Sequence, residues 1–293
     1  MRLSRTRRVL TLGATFLSVV GLVATATTAA ASSGGTKIPT APKSSKLAAE
    51  VPASVRAKAV IAVAMDATYP PDEFVAANGE IVGMDVDLMN AIAQVLGLHV
   101  AYENVEFATI ITGILAGRYD IGMSSFTDEK SREKQVDFVD YFKAGEAFYV
   151  AANSKLKLNG LKSLCGHSVS VELGTTELND AQSQAKKCHV AFVPYGTQSE
   201  ANLAVSSGRE QIGFADSQVA AYIVAESHGQ FKLSGEAFET APYGIALPKN
   251  GMAMPVLGAV KELMADGIYM KILDKWGVEA GAISKPVING ATS

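Results

Sequence analysis

The chain has 293 residues, 48% hydrophobic and 19% charged, which is typical of a globular protein with a sizeable core and not of a disordered chain. This length predicts one large domain or two modest ones. Asp and Glu (29) outnumber Lys and Arg (26), so we expect no nucleic-acid partner, because phosphate contacts require clustered basic residues.

The first predicted element is an export signal. Residues 1–31 combine four Arg with the apolar run VLTLGATFLSVVGLVA and small residues for cleavage near Ala31, which is the layout of a secretory signal peptide. The alternative is a membrane-spanning helix, but this run of 16 residues is short for a bilayer core. No Cys follows the run. We therefore expect an exported protein, extracellular or periplasmic and associated with the cell surface, without a lipid-anchor cysteine.

Strands and helices alternate in the first half of the chain. Residues 32–54 are rich in Ser, Gly, Pro and Lys without periodicity, and they predict a flexible leader. The run AVIAVAM (59–65) then predicts a buried strand, and MDVDLMNAIAQVLG predicts an amphipathic helix that ends at Gly97. HVAYENVEF and DIGMSS are strand-like, and apolar residues at helical spacing between Phe107 and Gly117 predict a helix between them.

The same alternation restarts near residue 160. HSVSVELG, VAFVPYG and QIGFADS predict strands, and TELNDAQSQAKKC, SEANLAVSSG and QVAAYIVAESHG predict helices. Two extended stretches, AFYVAAN (147–153) and PYGIALPK (242–249), connect the halves, and apolar spacing predicts helices again over 255–277. Such alternation implies parallel sheets covered by helices on both faces.

We therefore predict an α/β fold with two lobes, each a sheet flanked by helices, and two hinge crossings between them. The expected bounds are 55–150 plus 243–285 for lobe 1, 151–242 for lobe 2 and 286–293 for a tail.

The chain has two cysteines, Cys165 and Cys188. In an exported protein they predict a disulfide, and Cys165 precedes a strand while Cys188 ends the helix after it, so a crossover can bring them together. Zinc is the alternative, but two Cys with no nearby His pair do not supply four ligands. We expect no metal and no cofactor.

Polar and aromatic residues follow the predicted strands. Ligands of open α/β sheets bind at the carboxyl ends of strands, which here means the cleft between the lobes. The residues at these ends are Asp66, Tyr69, Phe74, Ser124, Ser125, Thr127, Arg132, Thr176 and Asp216.

This set suits a zwitterion. An α-carboxylate is bound by a guanidinium, hydroxyls and the N–H groups of a helix start, which Arg132, Ser125 or Thr127, and Thr176 supply. An α-ammonium needs a carboxylate, and Asp216 follows a strand of the second half. Taken singly, Arg132 could be surface decoration and Asp216 a helix cap.

The chain resembles the extracellular solute-binding proteins of family 3, which deliver polar amino acids to ABC importers, and in particular their actinobacterial members. The resemblance covers residues 58–277 and lies in the segments DATYPP, GEIVGMDVDLMNAIAQVLG, TIITGILAGRYDIGMSSFT, REKQVDFVDYF, GTTE, FADS, APYGIALPK and DGIYMKILDKWG.

The resemblance implies a periplasmic-binding-protein-like fold of type II and a monomeric, non-enzymatic receptor that binds an amino acid and the membrane permease subunits of an ABC importer. The implied ligand contacts are the first-lobe residues Asp66 and Tyr69, the aromatic stacker Phe107, the carboxylate-binding Ser124, Ser125, Thr127, Arg132 and Thr176, and the ammonium-binding Asp216. Competing functions are an enzyme resembling cyclohexadienyl dehydratases and a ligand sensor on the same scaffold.

The chain departs from the family pattern at several acidic residues. Asp72 and Glu73 intervene before Phe74, Glu172 stands where an apolar residue is common, and Glu177 stands where Gln is common. Clustered carboxylates repel one another unless a cation sits among them. We therefore expect Asp66, Glu172 and Glu177 to surround the side chain of a basic amino acid, with Phe74 as a further side-chain contact. Alternatively, the two glutamates face solvent and the ligand is neutral, such as glutamine; an acidic ligand ranks last.

Overall fold

The computed structural model describes residues 38–292, so the predicted signal peptide lies outside the described residues. Among the described residues, no helix has the length and apolar character needed to cross a membrane.

Ten α-helices are present in residues 38–292. They are α1 (Ser45–Glu50), α2 (Ala53–Lys58), α3 (Met84–Leu96), α4 (Ile110–Leu115), α5 (Lys130–Glu133), α6 (Thr176–Ala185), α7 (Gln198–Ser206), α8 (Ser217–Glu226), α9 (Ala253–Ala265) and α10 (Ile268–Trp276). Three short 3-10 turns accompany them, Phe107–Thr109, Leu161–Leu164 and Glu279–Gly281.

Twelve strands alternate with these helices. They are β1 (Val60–Met65), β2 (Thr68–Tyr69), β3 (Glu73–Val75), β4 (Ile81–Val82), β5 (His99–Asn104), β6 (Ile121–Gly122), β7 (Asp137–Ala151), β8 (Ser168–Glu172), β9 (Ala191–Tyr195), β10 (Ile212–Asp216), β11 (Phe231–Leu233) and β12 (Phe238–Leu247).

Nine strands form one sheet in the order β5-β1-β6-β12-β7-β10-β8-β9, with β11 paired to β7, and β2, β3 and β4 form a small second sheet. The expected parallel pairing holds toward both ends, where β1 pairs with β5 and β6, and β8 with β9 and β10. The middle differs from the prediction, because β7 pairs antiparallel with β12 and β10. The two connections predicted as extended are therefore parts of long paired strands.

The two lobes have separate cores, and their composition confirms the predicted two-lobed α/β fold. Strand β7 contributes Phe142 and Ala144 to the core of lobe 1, and Phe148 and Val150 to the core of lobe 2. The chain therefore leaves lobe 1 soon after Ala144, earlier than the expected boundary at 150. On the return, β12 contributes Phe238 to the second core and Tyr243 to the first.

Helix α3 shows how the apolar spacing positions an element. Leu88, Met89, Ile92 and Val95 are all buried in the core of lobe 1, as expected for one face of a helix. Gly97 ends the helix as predicted: it adopts φ 68°, and its N–H donates to carbonyls of the last turn. Glycine takes this left-handed conformation without a steric penalty.

The predicted flexible leader is wrong for its described part, because residues 45–50 form helix α1. Leu47 is buried and packs against Gly258 of α9, where a Cβ on the glycine would meet its side chain. The Ser44 hydroxyl donates to Glu262 Oε1 at 3.0 Å. Few apolar residues attach this segment to the rest of the fold, so its sequence does not show the apolar spacing of an amphipathic helix.

The tail also packs on the fold. The Asn289 N–H donates to the carbonyl of Phe138 at 3.0 Å, and the Asp140 N–H donates to the carbonyl of Val287 at 2.9 Å. Residues 287–289 therefore lie along strand β7 of lobe 1.

Cys165 and Cys188 form a disulfide, which confirms the prediction. Their Cα atoms are 5.7 Å apart. The bond ties the segment before β8 to the residues just after α6 in lobe 2.

Candidate functional site

A small cavity lies between the lobes, at the ends of β1, β6, β8 and β10. Its volume is about 10 Å³, which is room for about one water molecule. It is lined by Asp66, Tyr69, Glu73, Phe107, Ser124, Ser125, Thr127, Arg132, Glu172, Thr175, Thr176, Glu177 and Asp216. The structure thus brings together nearly all the residues predicted from the strand ends. The lobes are closed around this cavity, which is too small for an amino acid.

Phe74 is the one predicted contact that does not line this cavity. Its ring packs against Trp276, with centroids 5.8 Å apart, and against Tyr222 at 6.1 Å. The preceding residue, Glu73, is fully buried and lines the cavity instead. Successive side chains of a strand point to opposite faces, so only one of these two β3 residues can face the cleft.

Arg132 joins the two lobes. Its Nη1–H donates to the carbonyl of Thr127 in lobe 1 at 2.7 Å, and its Nη2–H donates to the carbonyl of Gly174 in lobe 2 at 2.9 Å. Nε lies 3.2 Å from Glu129 Oε2. A guanidinium has five N–H groups, and these contacts use three. The two that remain belong to a side chain that lines the cavity, where they can bind a carboxylate.

Arg132 is buried and held over two rings. The guanidinium carbon lies 5.6 Å from the ring centroids of both Phe107 and Phe126, and these two rings stack at 4.5 Å. Burial lowers the pKa of Arg132, and Glu129 and Glu177 oppose this effect. Arg132 is therefore not surface decoration: it is 7% exposed, and its charge faces the cleft.

Asp216 ends β10 and is buried in the same cleft. It occupies the N-cap position of α8, yet its side chain makes no capping hydrogen bond. Instead, its Oδ2 accepts from the Tyr69 hydroxyl at 2.9 Å, which is a contact between the lobes. Burial raises the pKa of Asp216 to about 7, while hydrogen bonds from Tyr243 and Tyr69 lower it. The helix-cap alternative is thereby removed.

Asp66 lies just after β1 and lines the cavity from the lobe 1 side. Its Oδ1 accepts from the Thr68 hydroxyl at 2.7 Å, and its Oδ2 accepts from the Phe107 N–H at 3.2 Å. Burial raises the pKa of Asp66, and these hydrogen bonds lower it. Asp66 therefore positions Phe107 as well as facing the cavity.

Ser124 and Ser125 donate hydrogen bonds to two acidic residues that were expected only in a loop near the site. The Ser124 hydroxyl donates to Glu73 Oε1 at 2.9 Å, and the Ser125 hydroxyl donates to Asp72 Oδ2 at 3.0 Å. Ser125 adopts φ 50°, a strained backbone for a residue with a side chain. Its N–H donates to Asp85 Oδ2 at 3.0 Å. In this conformation the hydroxyl donors are therefore directed at protein carboxyl groups.

Asp72, Glu73 and Asp85 form a buried acidic group behind the serines. Burial raises the pKa of Asp72 to about 8 and that of Asp85 to about 6, and it raises the pKa of Glu73 well above its usual value. The Tyr141 hydroxyl donates to Asp85 Oδ1 at 2.6 Å. The only signal of this group in the sequence is the Asp72-Glu73 pair.

Helix α6 brings the second lobe to the cavity. The Thr175 hydroxyl caps the helix by accepting from the Leu178 N–H at 3.2 Å. The Thr176 hydroxyl lies 3.4 Å from that of Thr127 in lobe 1. The N-terminus of a helix favours negative charge, so this end of α6 suits an anionic group of a ligand.

Glu172 and Glu177 face the cavity and not the solvent. Both are buried, and each has an oxygen, Oε1, with no hydrogen-bond partner among residues 38–292. Burial raises both pKa values well above the usual range, and Asp66 adds to the effect at Glu172, as Asp216 does at Glu177. Buried acceptors without partners are costly, so these oxygens indicate where a donor group of a ligand belongs.

Residues 61–279 match the family model of bacterial extracellular solute-binding proteins, family 3. The protein belongs to this family. The chain is 30% identical to the arginine-binding protein ArgT of Corynebacterium glutamicum, over 83% of each protein. It is also 30% identical to the ABC transporter glutamine-binding protein GlnH of Bacillus subtilis, over 68% of this chain and 74% of that protein.

The fold of this protein is shared by an arginine-binding protein of known structure. An ancestral arginine-binding protein bound to arginine is 35% identical, with a TM-score of 0.71, over 74% of this chain and 98% of that one. These similar proteins are binding proteins rather than enzymes, and two of the three bind arginine by name.

Proposed function

We propose that the protein binds a basic amino acid, arginine in the first instance, between its lobes and delivers it unchanged to the permease of an ABC-type importer. The observation that carries this proposal is the excess of acidic groups in the cavity. Five carboxyl groups line it against one guanidinium, that of Arg132. Burial raises their pKa values, and a cationic side chain placed among them favours their ionised form.

The α-amino acid group fits residues from both lobes. The two unused N–H groups of Arg132 and the N-terminus of α6 bind the α-carboxylate. Asp216 binds the α-ammonium in place of the Tyr69 hydroxyl that it accepts from here. Neither lobe alone supplies both partners, so ligand binding favours the closed state.

The side chain of the ligand then lies toward Asp66, Glu172 and Glu177. The orphan oxygens of the two glutamates accept guanidinium N–H groups, and charge-assisted pairs of this kind are the strong ones. Tyr69 and Phe107 offer ring faces for the planar guanidinium or its aliphatic stem. Glutamine fills a similar volume without the charge and therefore binds more weakly.

The remaining parts of the proposal concern the setting. The protein acts as a monomer at the cell surface, and the permease recognises the closed form. Binding without chemistry is proposed because the similar proteins reported above are named for binding. Native mass spectrometry tests the monomer, and chromatography after a long incubation tests whether the amino acid is recovered unchanged.

Calorimetry with arginine, lysine, ornithine, glutamine and glutamate tests the ligand class. We expect the basic amino acids to bind most tightly, then glutamine, then glutamate. A bound ligand at a thousandfold excess over Kd also stabilises the fold by about 4 kcal/mol, which a thermal melt detects. If glutamate binds more tightly than arginine, the carboxyl groups do not select a cation and the proposed ligand class is wrong.

A further inference from the structure

A second, larger cavity borders the first where the chain crosses between the lobes. Its volume is about 390 Å³, and it shares Thr127, Thr176 and Asp216 with the ligand cavity. All of its charged lining residues are acidic. The acidic residues that it adds are Glu129, Glu146, Asp180 and Glu239.

Three of these carboxylates converge from three different elements. Glu146 belongs to β7, Asp180 to α6 and Glu239 to β12. One carboxylate oxygen of each lies within 4.8 Å of the others. Glu239 sits where the register of β12 against β7 shifts, between Phe238 and Ala241, and such a bulge re-aims a side chain. The chain thus places like charges close together at the crossing strands.

Glu146 gives an independent indication that something binds here. Its side chain belongs to a residue only 5% exposed, and its Oε2 has no hydrogen-bond partner among the described residues. Within residues 38–292, none of the ion pairs involves Glu146, Asp180 or Glu239. A buried carboxylate without a cation or donor is costly, so its orientation toward two further carboxylates calls for a positive partner.

We propose that Glu146, Asp180 and Glu239 bind a divalent cation, with calcium as the best fit. Calcium takes six to eight oxygen ligands in a flexible geometry, whereas magnesium usually keeps several waters and is held by one or two carboxylates. Three carboxylates with oxygens within 4.8 Å of one another therefore match calcium better than magnesium. Zinc prefers nitrogen and sulfur ligands, which the lining lacks.

The cavity supplies the rest of the coordination sphere. Asn179 and Thr240 are among its lining residues and carry side-chain oxygens, and its volume leaves room for water ligands. Burial raises the pKa of Glu146 to about 11, and the nearby Glu177 and Asp180 add to this effect.

Calcium titration of the amino-acid-free protein tests the site. After dialysis against a chelator, calorimetry and terbium luminescence should both report one saturable site. We expect a Kd of about 0.1–1 mM, the range of extracellular calcium modules.

Matched variants locate the site. Glu239→Gln should weaken calcium at least about tenfold, since it removes one of three carboxylate ligands. Its side chain is exposed, and circular dichroism checks that the variant is folded. Glu236→Gln changes an exposed glutamate three positions away and should leave calcium binding intact.

Two outcomes overturn the proposal. One is the absence of saturable calcium or terbium binding up to about 10 mM, well beyond the range above; the carboxyl groups then share protons only. The other is calcium binding by Glu239→Gln with the affinity of the wild type, which places the ion elsewhere. Neither outcome depends on arginine binding, so the proposed ligand class is tested separately.

Discussion

Replacing Arg132 with Ala should abolish useful binding of any α-amino acid. The guanidinium is buried, and it uses three of its five N–H groups on Thr127, Gly174 and Glu129, which leaves two for the α-carboxylate. Removing one partner of a desolvated charged pair costs about 2–5 kcal/mol. At 1.4 kcal/mol per factor of ten, the expected loss of affinity is about 30-fold to about 4,000-fold.

Two further variants separate the parts of this effect. Arg132→Lys keeps the positive charge but loses the planar fork, which holds both lobes and a carboxylate together, so its affinity should fall between those of wild type and Arg132→Ala. Lys130→Ala is the matched control. Lys130 lies two residues away in the same helix and pairs with Glu133 at the surface, and its loss should leave affinity unchanged.

Calorimetry with arginine measures these affinities, and circular dichroism confirms that each variant is folded. If Arg132→Ala binds within about threefold of wild type, a difference of less than about 1 kcal/mol, the clamp does not exist. The guanidinium would then serve only to join the carbonyls of the two lobes.

Three other predictions follow from the structure. The affinity for arginine should fall as the pH drops below 7. The pKa of Asp216 is raised to about 7, so below this pH the carboxyl is protonated and cannot pair with the α-ammonium. Calorimetry at pH 5.5 and 8 measures the affinity, and an equal affinity at both pH values contradicts the prediction. Replacing both Cys165 and Cys188 with Ser should lower the free energy of unfolding by about 3 kcal/mol for a loop of 23 residues, as measured by denaturant titration; an unchanged midpoint would show that the bond adds no stability. Leu47→Ala should destabilise the protein by at least about 2 kcal/mol because its side chain is buried against α9; a melt equal to that of wild type would mean that α1 does not contribute to the core of lobe 1.

The sequence predicts the order of the elements well because most of them carry their own periodicity. The apolar spacing of α3, with Gly97 at its end, is visible without any tertiary information. Helix α1 shows no such apolar spacing, because its position depends on Leu47 and on a hydrogen bond from Ser44 to α9. The crossing point of β7 is equally hidden, since Ala144 and Ala147 are both buried and differ only in the core that they join.

Site residues could be predicted from the sequence where they lie at the carboxyl ends of strands. Asp66 and Ser124 follow strands and Asp216 ends one, and the sheet brings all three to the cleft. Asp85 was missed because an acid in the first turn of a helix is ordinary, and only the fold places it against Ser125. Phe74 was misplaced by one position: the pleat of β3 decides that Glu73 faces the cleft.

The buried carboxyl groups of the cleft are consistent with the proposed binding of a basic amino acid. Burial raises the pKa values of Glu172 and Glu177, nearby carboxyl groups add to the effect, and both residues retain oxygens without partners among the described residues. A cationic side chain supplies both the charge and the N–H donors that these oxygens lack. Under the proposed function, a basic side chain makes these contacts only where the two lobes meet. Because a ligand shifts an equilibrium only by its differential affinity for the two states, the charged side chain then favours closure on a basic amino acid beyond the contacts to the α-amino acid group.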